Sequence, residues 1–395
     1  MDIEAIRNLT PSLADCAYFQ TGGFAPKPTP VIDEVIHWLR VGSRGPAISE
    51  VAQALQAALE EARSAVARTL GAHADEVMLN ENTTVGINIV ANGIDWRPGD
   101  NVILSDHEHP GNRIPWYNIG TRCGVELRFL RINNDPAELL AQFEALLDGR
   151  TRIASLSHVS RRTGVRLPAT ELGEIAHRHA VPVLLDGAQA FGAIPVDVHA
   201  LGCDFYTCSG HKYIMGPQGT GAFYVRRDML EWLKPSWIGS HSQETMDFDG
   251  HMTLKASARR FEFATRNIAD QAGFRKAVEQ WEAVGWENVF RAIASYTTKM
   301  KRRLSELPGL EIITPLPYER SAGKVTFRIP GVPSSTICSK LWEHERVLVA
   351  PLDRDDEMVR VSTHAFNTTQ ECDRLVAGLR RLMVRQARVQ HQSAG

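Results

Sequence analysis

The sequence predicts an α/β fold: a large domain on a mainly parallel, seven-stranded sheet and a smaller α/β unit at the C-terminal end. Two observations carry this expectation. From about residue 75 onward, short apolar runs alternate with helix-period stretches, the β-α-β-α order of a parallel sheet covered on both faces. Polar clusters also follow several of the runs directly, where open parallel sheets bind their ligands.

Taken in order, residues 1–14 form an N-terminal segment. Pro30–Val41 and the alanine-rich, amphipathic Pro46–Leu70 read as helices. Strands follow at Glu76–Leu79, Asn101–Leu104, Val125–Leu130, Arg152–Leu156, Val181–Leu185, Asp204–Cys208 and Ala222–Val225. Thr84–Ile94, Asp135–Leu147 and Ala169–Ala180 are helix-like stretches between them, and Ala277–Leu307 is mostly helical. The C-terminal part reads as strand (Leu310–Thr314), strand (Lys324–Ile329), helix (Ser334–His344), strand (Arg346–Val349), strand (Glu357–Ser362) and helix (Thr369–Arg385). The domains expected are a large one at 15–275, a small one at 276–385 and a flexible tail at 386–395.

Composition narrows the function classes. The chain has 395 residues, is 43% hydrophobic and 23% charged, and carries a formal net charge of -2. That is enough apolar matter for a large core and no overall bias toward nucleic acid or an anionic membrane. No run approaches a membrane span, and residues 1–13 lack the apolar segment of a signal peptide. Six scattered cysteines without CxxC pairs point to reduced thiols, so a cytoplasmic protein is expected. No lysine stands between Lys27 and Lys212.

The chemical residues cluster after strands. Asp186-Gly187-Ala188-Gln189 follows one apolar run, Ser209-Gly210-His211-Lys212 another, and Ser105-Asp106-His107-Glu108-His109 a third, while Asn82-Thr83-Thr84 opens a helix. Each has a plain structural use: Asp186 as a helix cap, Lys212 as a solvated surface residue, His109 as a structural histidine, Thr83-Thr84 as an N-cap. Their combination at one sheet edge matches the needs of pyridoxal 5'-phosphate (PLP). Its aldehyde takes a lysine, its ring nitrogen an acid, its face a flat partner, and its phosphate the donors of a helix N-terminus. A metal centre is not expected, because no histidine and carboxylate set stands at ligand spacing.

The stretch from Val183 to Ala190, followed by Pro195-Val196-Asp197-Val198, Asp204-Phe205-Tyr206 and Ser209-Gly210-His211-Lys212, resembles the class V aminotransferase superfamily of fold type I PLP enzymes. Cysteine desulfurases and cysteine/cystine C–S lyases are the nearest branch, and the likeness runs from Tyr18-Phe19 to Arg374-Leu375. It implies that Lys212 forms the Schiff base and moves the Cα proton, Asp186 pairs with the pyridinium, Gln189 contacts the ring hydroxyl and His109 stacks on the ring. It assigns the phosphate to Thr83, Thr84, Ser209 and His211. Thr265 is implied to reach the phosphate of a neighbouring subunit, hence a homodimer, and Arg360 to clamp the substrate α-carboxylate. Asn112 follows His109 in the same motif and joins Arg360 and Arg161 as a substrate-binding candidate. Arg162, Arg266, Arg113 and His241 are further candidates for that pocket.

Two departures from the desulfurase pattern matter. Val349–Met358, the stretch before Arg360, holds no cysteine to carry a persulfide, and Cys338 lies in a predicted helix well before it. Arg161 stands where desulfurases place an asparagine, and is either a surface residue or part of the site. The expected activity is therefore PLP-dependent β-elimination on cysteine, cystine or an S-substituted cysteine. An aminotransferase or an epimerase of the isopenicillin N type shares the same early chemistry, while a decarboxylase fits the intact Arg360 less well. A non-catalytic scaffold would need none of Lys212, Asp186, Gln189 and His109.

Overall fold

A computed structural model describes residues 2–352 and 357–393. All seven expected strands of the large sheet form: β1 (Val77–Asn80), β2 (Asn101–Ser105), β3 (Glu126–Leu130), β4 (Thr151–Ser157), β5 (Val183–Asp186), β6 (Phe205–Ser209) and β7 (Gly221–Val225). Their order across the sheet is β1-β7-β6-β5-β4-β2-β3. Only β7 runs antiparallel to its neighbours. Strands β2, β5, β6 and β7 are buried at every position, which is why they read as continuous apolar runs. One face packs on the helices Ser49–Leu70, Ala169–Arg178 and Ile268–Val284. The other packs on Thr83–Gly93 and Pro110–Cys123. Fully burying one leucine or isoleucine stabilises by about 1.5–3 kcal/mol, so these two layers dominate the stability.

The small unit is a four-stranded antiparallel sheet covered by helices. Ala17 and Phe19 belong to its apolar core, and Ala17–Tyr18 pairs in parallel with Val347–Leu348, so the chain's start is stitched to its end. Strand alternation divides this sheet: Val325, Phe327, Val359 and Val361 enter the core. Lys324, Thr326, Arg360 and Ser362 take the opposite face, with Lys324 opposite Ser362 and Thr326 opposite Arg360.

The expected helix at 277–307 is two helices, Ile268–Val284 and Trp286–Ser305, broken where Gly285 adopts φ +86°. The last helix runs Thr369–Ser393, so 386–393 continue it where a tail is expected. Two elements lack a local signal. Pro110–Cys123 is helical despite Pro115, and Gln243–Met246 with Met252–Leu254 forms an exposed hairpin.

Candidate active site

The carboxyl ends of the large sheet open into a cavity of about 1510 Å³, which Arg360 of the small sheet also lines. Thr83 and Thr84 line it from the helix after β1, His109 from the segment after β2, Arg161 from the loop after β4. Asp186 and Gln189 enter after β5, and Ser209, His211 and Lys212 after β6, while Arg360 reaches in from the small domain. Ten sequence-predicted residues from distant parts of the chain thus share one cavity.

Its anion-binding end is built on the N-terminus of the helix Thr83–Gly93. Asn82 caps it by accepting from the Val85 N–H at 3.2 Å. Thr83 donates its backbone N–H to Ser209 Oγ at 3.2 Å, and the two hydroxyls meet at 2.7 Å. Helix dipole, backbone donors and two hydroxyls favour an anion there. His211 lines the same cavity, its Nδ1 is buried without a hydrogen-bond partner, and burial lowers its pKa to about 4. A buried polar atom with no partner is costly unless a ligand supplies one.

Asp186, at the end of β5, is buried and accepts from the Ala188 N–H at 2.9 Å. Burial raises its pKa, and Lys212 opposes that. Burial lowers Lys212 to about 8, held up by Asp186 and pushed further down by Arg360 and Arg161. A lysine near 8 offers a substantial free-amine fraction at neutral pH, the form a nucleophile or base needs. Burial, then Lys212, lowers His109 to about 3, so its imidazole is neutral and its Nδ1 accepts from the Gly111 N–H at 2.9 Å. His158 sits outside the cavity, behind Asp186: its backbone N–H donates to the Asp186 carbonyl at 2.9 Å.

Beneath His109 lies a buried polar network that sequence reasoning missed. Glu108 accepts from Ser105 Oγ at 2.5 Å, from the Ser157 N–H at 2.8 Å and Oγ at 2.5 Å, and from Asn112 Nδ2 at 2.7 Å. Asn112 Oδ1 in turn accepts from Trp116 Nε1 at 3.1 Å and Ser155 Oγ at 2.7 Å. Asn112 is therefore no substrate ligand. It is fully buried, outside the cavity, with its amide committed to this network. Asn112 and Trp116, four apart in the helix Pro110–Cys123, share its inward face under Glu108, and that spacing is the available signal. Burial raises Glu108 to about 7 from 4.5. The folded protein holds that proton more tightly than the unfolded chain, so this group's stabilisation fades as pH rises from about 4.5 to about 7. Urea midpoints between pH 5 and pH 7.5 are expected to fall with pH, and less steeply in Glu108→Gln; equal slopes would remove this account.

Of the other candidates, Arg161 lines the cavity and donates from Nη2 to the Leu352 carbonyl at 2.9 Å, tying its loop to the segment that precedes Arg360. It is not a solvated surface residue. Arg360 is 5% exposed and donates from Nη2 to Gln20 Oε1 at 2.9 Å. Thr265 is exposed and outside its own chain's cavity. Arg162, Arg113, His241 and Arg266 also lie outside it, and Arg266 pairs with Glu81 at 3.1 Å. The middle of the cysteine-free stretch, 353–356, lies outside the described residues. Cys338 is in the helix Ser334–Glu345 and not at the cavity.

Two placements have no forerunner in the sequence reading. Lys324, fully buried, donates from Nζ to Gln189 Oε1 at 2.5 Å, so a second amine stands at the site although the large-domain strands carry none before Lys212. Near the N-terminal end of β1, away from the cavity, His73, Glu76 and His199 bring donor atoms within 4.8 Å of one another, with His199 Nε2 to Glu76 Oε2 at 2.8 Å.

Comparison with known proteins places this arrangement. Residues 17–375 match the family model "Aminotransferase class-V". A cysteine desulfurase of Escherichia coli (strain K12 / DH10B) is 33% identical over 387 residues, covering 93% of each chain, and one of Enterobacter sp. (strain 638) is 32% identical at the same coverage. Among solved structures, a lysine-to-alanine mutant of C-DES with glycine covalently linked to its PLP cofactor superposes with a TM-score of 0.88 at 30% identity, over 95% of this chain and 98% of that one. The cystine C–S lyase C-DES in complex with its product cysteine persulfide gives 0.87 at 30% identity, over 94% and 99%. A cysteine desulfurase from Thermococcus onnurineus NA1 gives 0.87 at 27% identity, over 96% and 97%. With residues 17–375 matching the family model, and its fold and almost its whole length in common with these proteins, the chain belongs to the class V aminotransferase family.

Proposed function

We propose that this protein is a PLP-dependent C–S lyase that cleaves cysteine, cystine or an S-substituted cysteine by β-elimination. The observation that carries the reading is the convergence of Lys212, Asp186, His109 and a donor-rich helix N-terminus on one cavity, with a fixed arginine, Arg360, at its far wall. The cavity fits the cofactor: the orphaned His211 Nδ1 and the Thr83–Ser209 pair suit a phosphate, and Asp186 suits a protonated ring nitrogen. When bound, PLP supplies an electron sink for the electrons released at Cα.

The chain's own residues supply the rest. Lys212 would hold the aldehyde, and its amine, free once substrate is bound, would take the Cα proton. Asp186 would keep the ring nitrogen charged. Arg360, held by Gln20, offers a planar fork to the α-carboxylate. Arg161 adds positive charge beside Lys212 and His109, where a departing anionic sulfur gains from it. For cystine the balance is water plus cystine giving pyruvate, ammonia and cysteine persulfide. No cysteine stands between Val349 and Met358, which supports release of a free sulfur product over transfer through a protein persulfide.

The test is incubation of the PLP-loaded protein with cystine, cysteine and S-alkyl cysteines, assayed for pyruvate and sulfide. Pyruvate without added keto acid supports the lyase. A strict keto-acid requirement with amino-acid accumulation makes it an aminotransferase, and inversion at Cα without pyruvate makes it an epimerase.

The working unit in this reading is a homodimer in which Thr265 serves the neighbouring cofactor. Trp237 is exposed where it lines the cavity, and Met246, Phe248 and Met252 are exposed on and beside the hairpin 243–254, apolar surface that a second copy would cover. Met246→Asp with Phe248→Asp is expected to turn a two-chain mass into a one-chain mass in sedimentation. An unchanged two-chain mass removes the hairpin from the interface.

A further inference from the structure

Lys324 is the most unusual polar residue near the cavity. Strand alternation turns it away from the small-domain core, to which Val325 and Phe327 belong, and toward the large domain. Two glycines make room for it. A Cβ on Gly164, itself at φ +74°, would lie 3.3 Å from the Lys324 Cβ and Cγ, and one on Gly22 would lie 3.3 Å from Nζ and 2.8 Å from Gln189 Oε1. The lysine head thus occupies a slot moulded by the backbone of two other segments.

Its partner is Gln189, which lines the cavity. Lysine Nζ carries hydrogens that need an acceptor and finds Gln189 Oε1 at 2.5 Å, while the Gly22 carbonyl needs a donor and finds Gln189 Nε2 at 2.9 Å. A flipped amide would set two acceptors against each other at Gly22 and two donors at Lys324. The amide orientation is therefore determined at both ends, and one hydrogen on Nε2 remains for a third partner. Burying an amine costs far more than an apolar side chain at the same place, so the slot spends stability on this arrangement.

We propose that Lys324 is a positioning residue for the cofactor: it locks the Gln189 amide so that a donor, never an acceptor, is offered to an oxygen of the bound group. Because Lys324 belongs to the small domain and Gln189 to the large one, the lock also couples cofactor binding to the docking of the two domains. Lys324 is surrounded by Asp186 on β5, Lys212 after β6, Arg161 after β4 and Arg360 on the facing strand. Burial, then Arg360 and Lys212, lowers its pKa.

This inference rests on the PLP reading, and the experiment separates the two. Cofactor-free wild type, Lys324→Met, Gln189→Leu and the double variant are titrated with PLP by fluorescence, with unfolding curves recorded alongside. Each single variant is expected to bind about tenfold more weakly, and the double variant no more weakly than either, because the two side chains act as one unit. The pH midpoint of the bound-cofactor absorbance is expected to move in Lys324→Met and Gln189→Leu alike, a readout that a merely structural loss would leave in place. Should Lys324→Met fail to fold, Gln189→Glu keeps an acceptor for Lys324 yet offers the cofactor no donor, and the same tenfold weakening is expected. Wild type that does not bind PLP overturns the functional reading. Wild type that binds, with additive losses or an unmoved midpoint, overturns the role of Lys324 alone.

Discussion

Lys212→Ala is expected to reduce turnover by at least about 10⁴-fold, the largest effect of any single substitution in this protein. In the proposed reading Lys212 has two jobs that no neighbour can assume: holding the cofactor aldehyde and taking the Cα proton. Lys324, the other amine at the site, is bound to Gln189 on the far side of the Gln189 amide and does not line the cavity, so it offers no substitute. Its slot is also closed by Gly22 and Gly164. The measurement is single-turnover formation of pyruvate from cystine in the loaded variant, together with the absorbance of the bound cofactor before and after borohydride. In the wild type borohydride should remove the cofactor band and leave the cofactor fixed covalently at residue 212, and in the variant no adduct should form there. Residual activity within tenfold of wild type would show that another residue moves the proton. Since burial and the two arginines hold Lys212 near 8, the wild-type rate of adduct formation is expected to rise as pH climbs toward about 8 and then level off.

The second large effect is at Asp186. Asp186→Asn preserves the side-chain shape and an acceptor for the Ala188 N–H, yet removes the negative charge. Without that charge the ring nitrogen loses its proton and the electron sink weakens, so kcat is expected to fall about 10²- to 10³-fold. KM should change much less, because Arg360 and not Asp186 meets the substrate carboxylate. Folding should be preserved, since a neutral amide is easier to bury than the carboxylate whose pKa burial already raises. A kcat within tenfold of wild type, measured at saturating PLP, would falsify the assignment.

Much of the site was readable before any coordinates because its members sit directly after strands. A buried parallel strand announces itself as an apolar run, and whatever follows it emerges at the ligand edge. Asp186, Ser209, Lys212 and His109 were legible for that reason. The same rule misled at Asn112. Once a helix begins at Pro110, position 112 turns inward under Glu108, and the amide is spent in the core. Arg161 is undecided in the sequence because a loop arginine has no period; in the fold it lines the cavity and donates to the Leu352 carbonyl.

What the sequence by itself determined is the sheet and most of the groups that gather at its edge. These follow from local rules of periodicity, capping and strand ends. Only the tertiary structure decided that Lys324 joins Arg360, already named in the sequence, beside the site: two paired strands of the small sheet turn alternate side chains toward the large sheet. Lys324 and Gln189 are 135 positions apart in the chain. No pattern within either segment encodes their meeting, because the contact arises from how two separately folded cores dock.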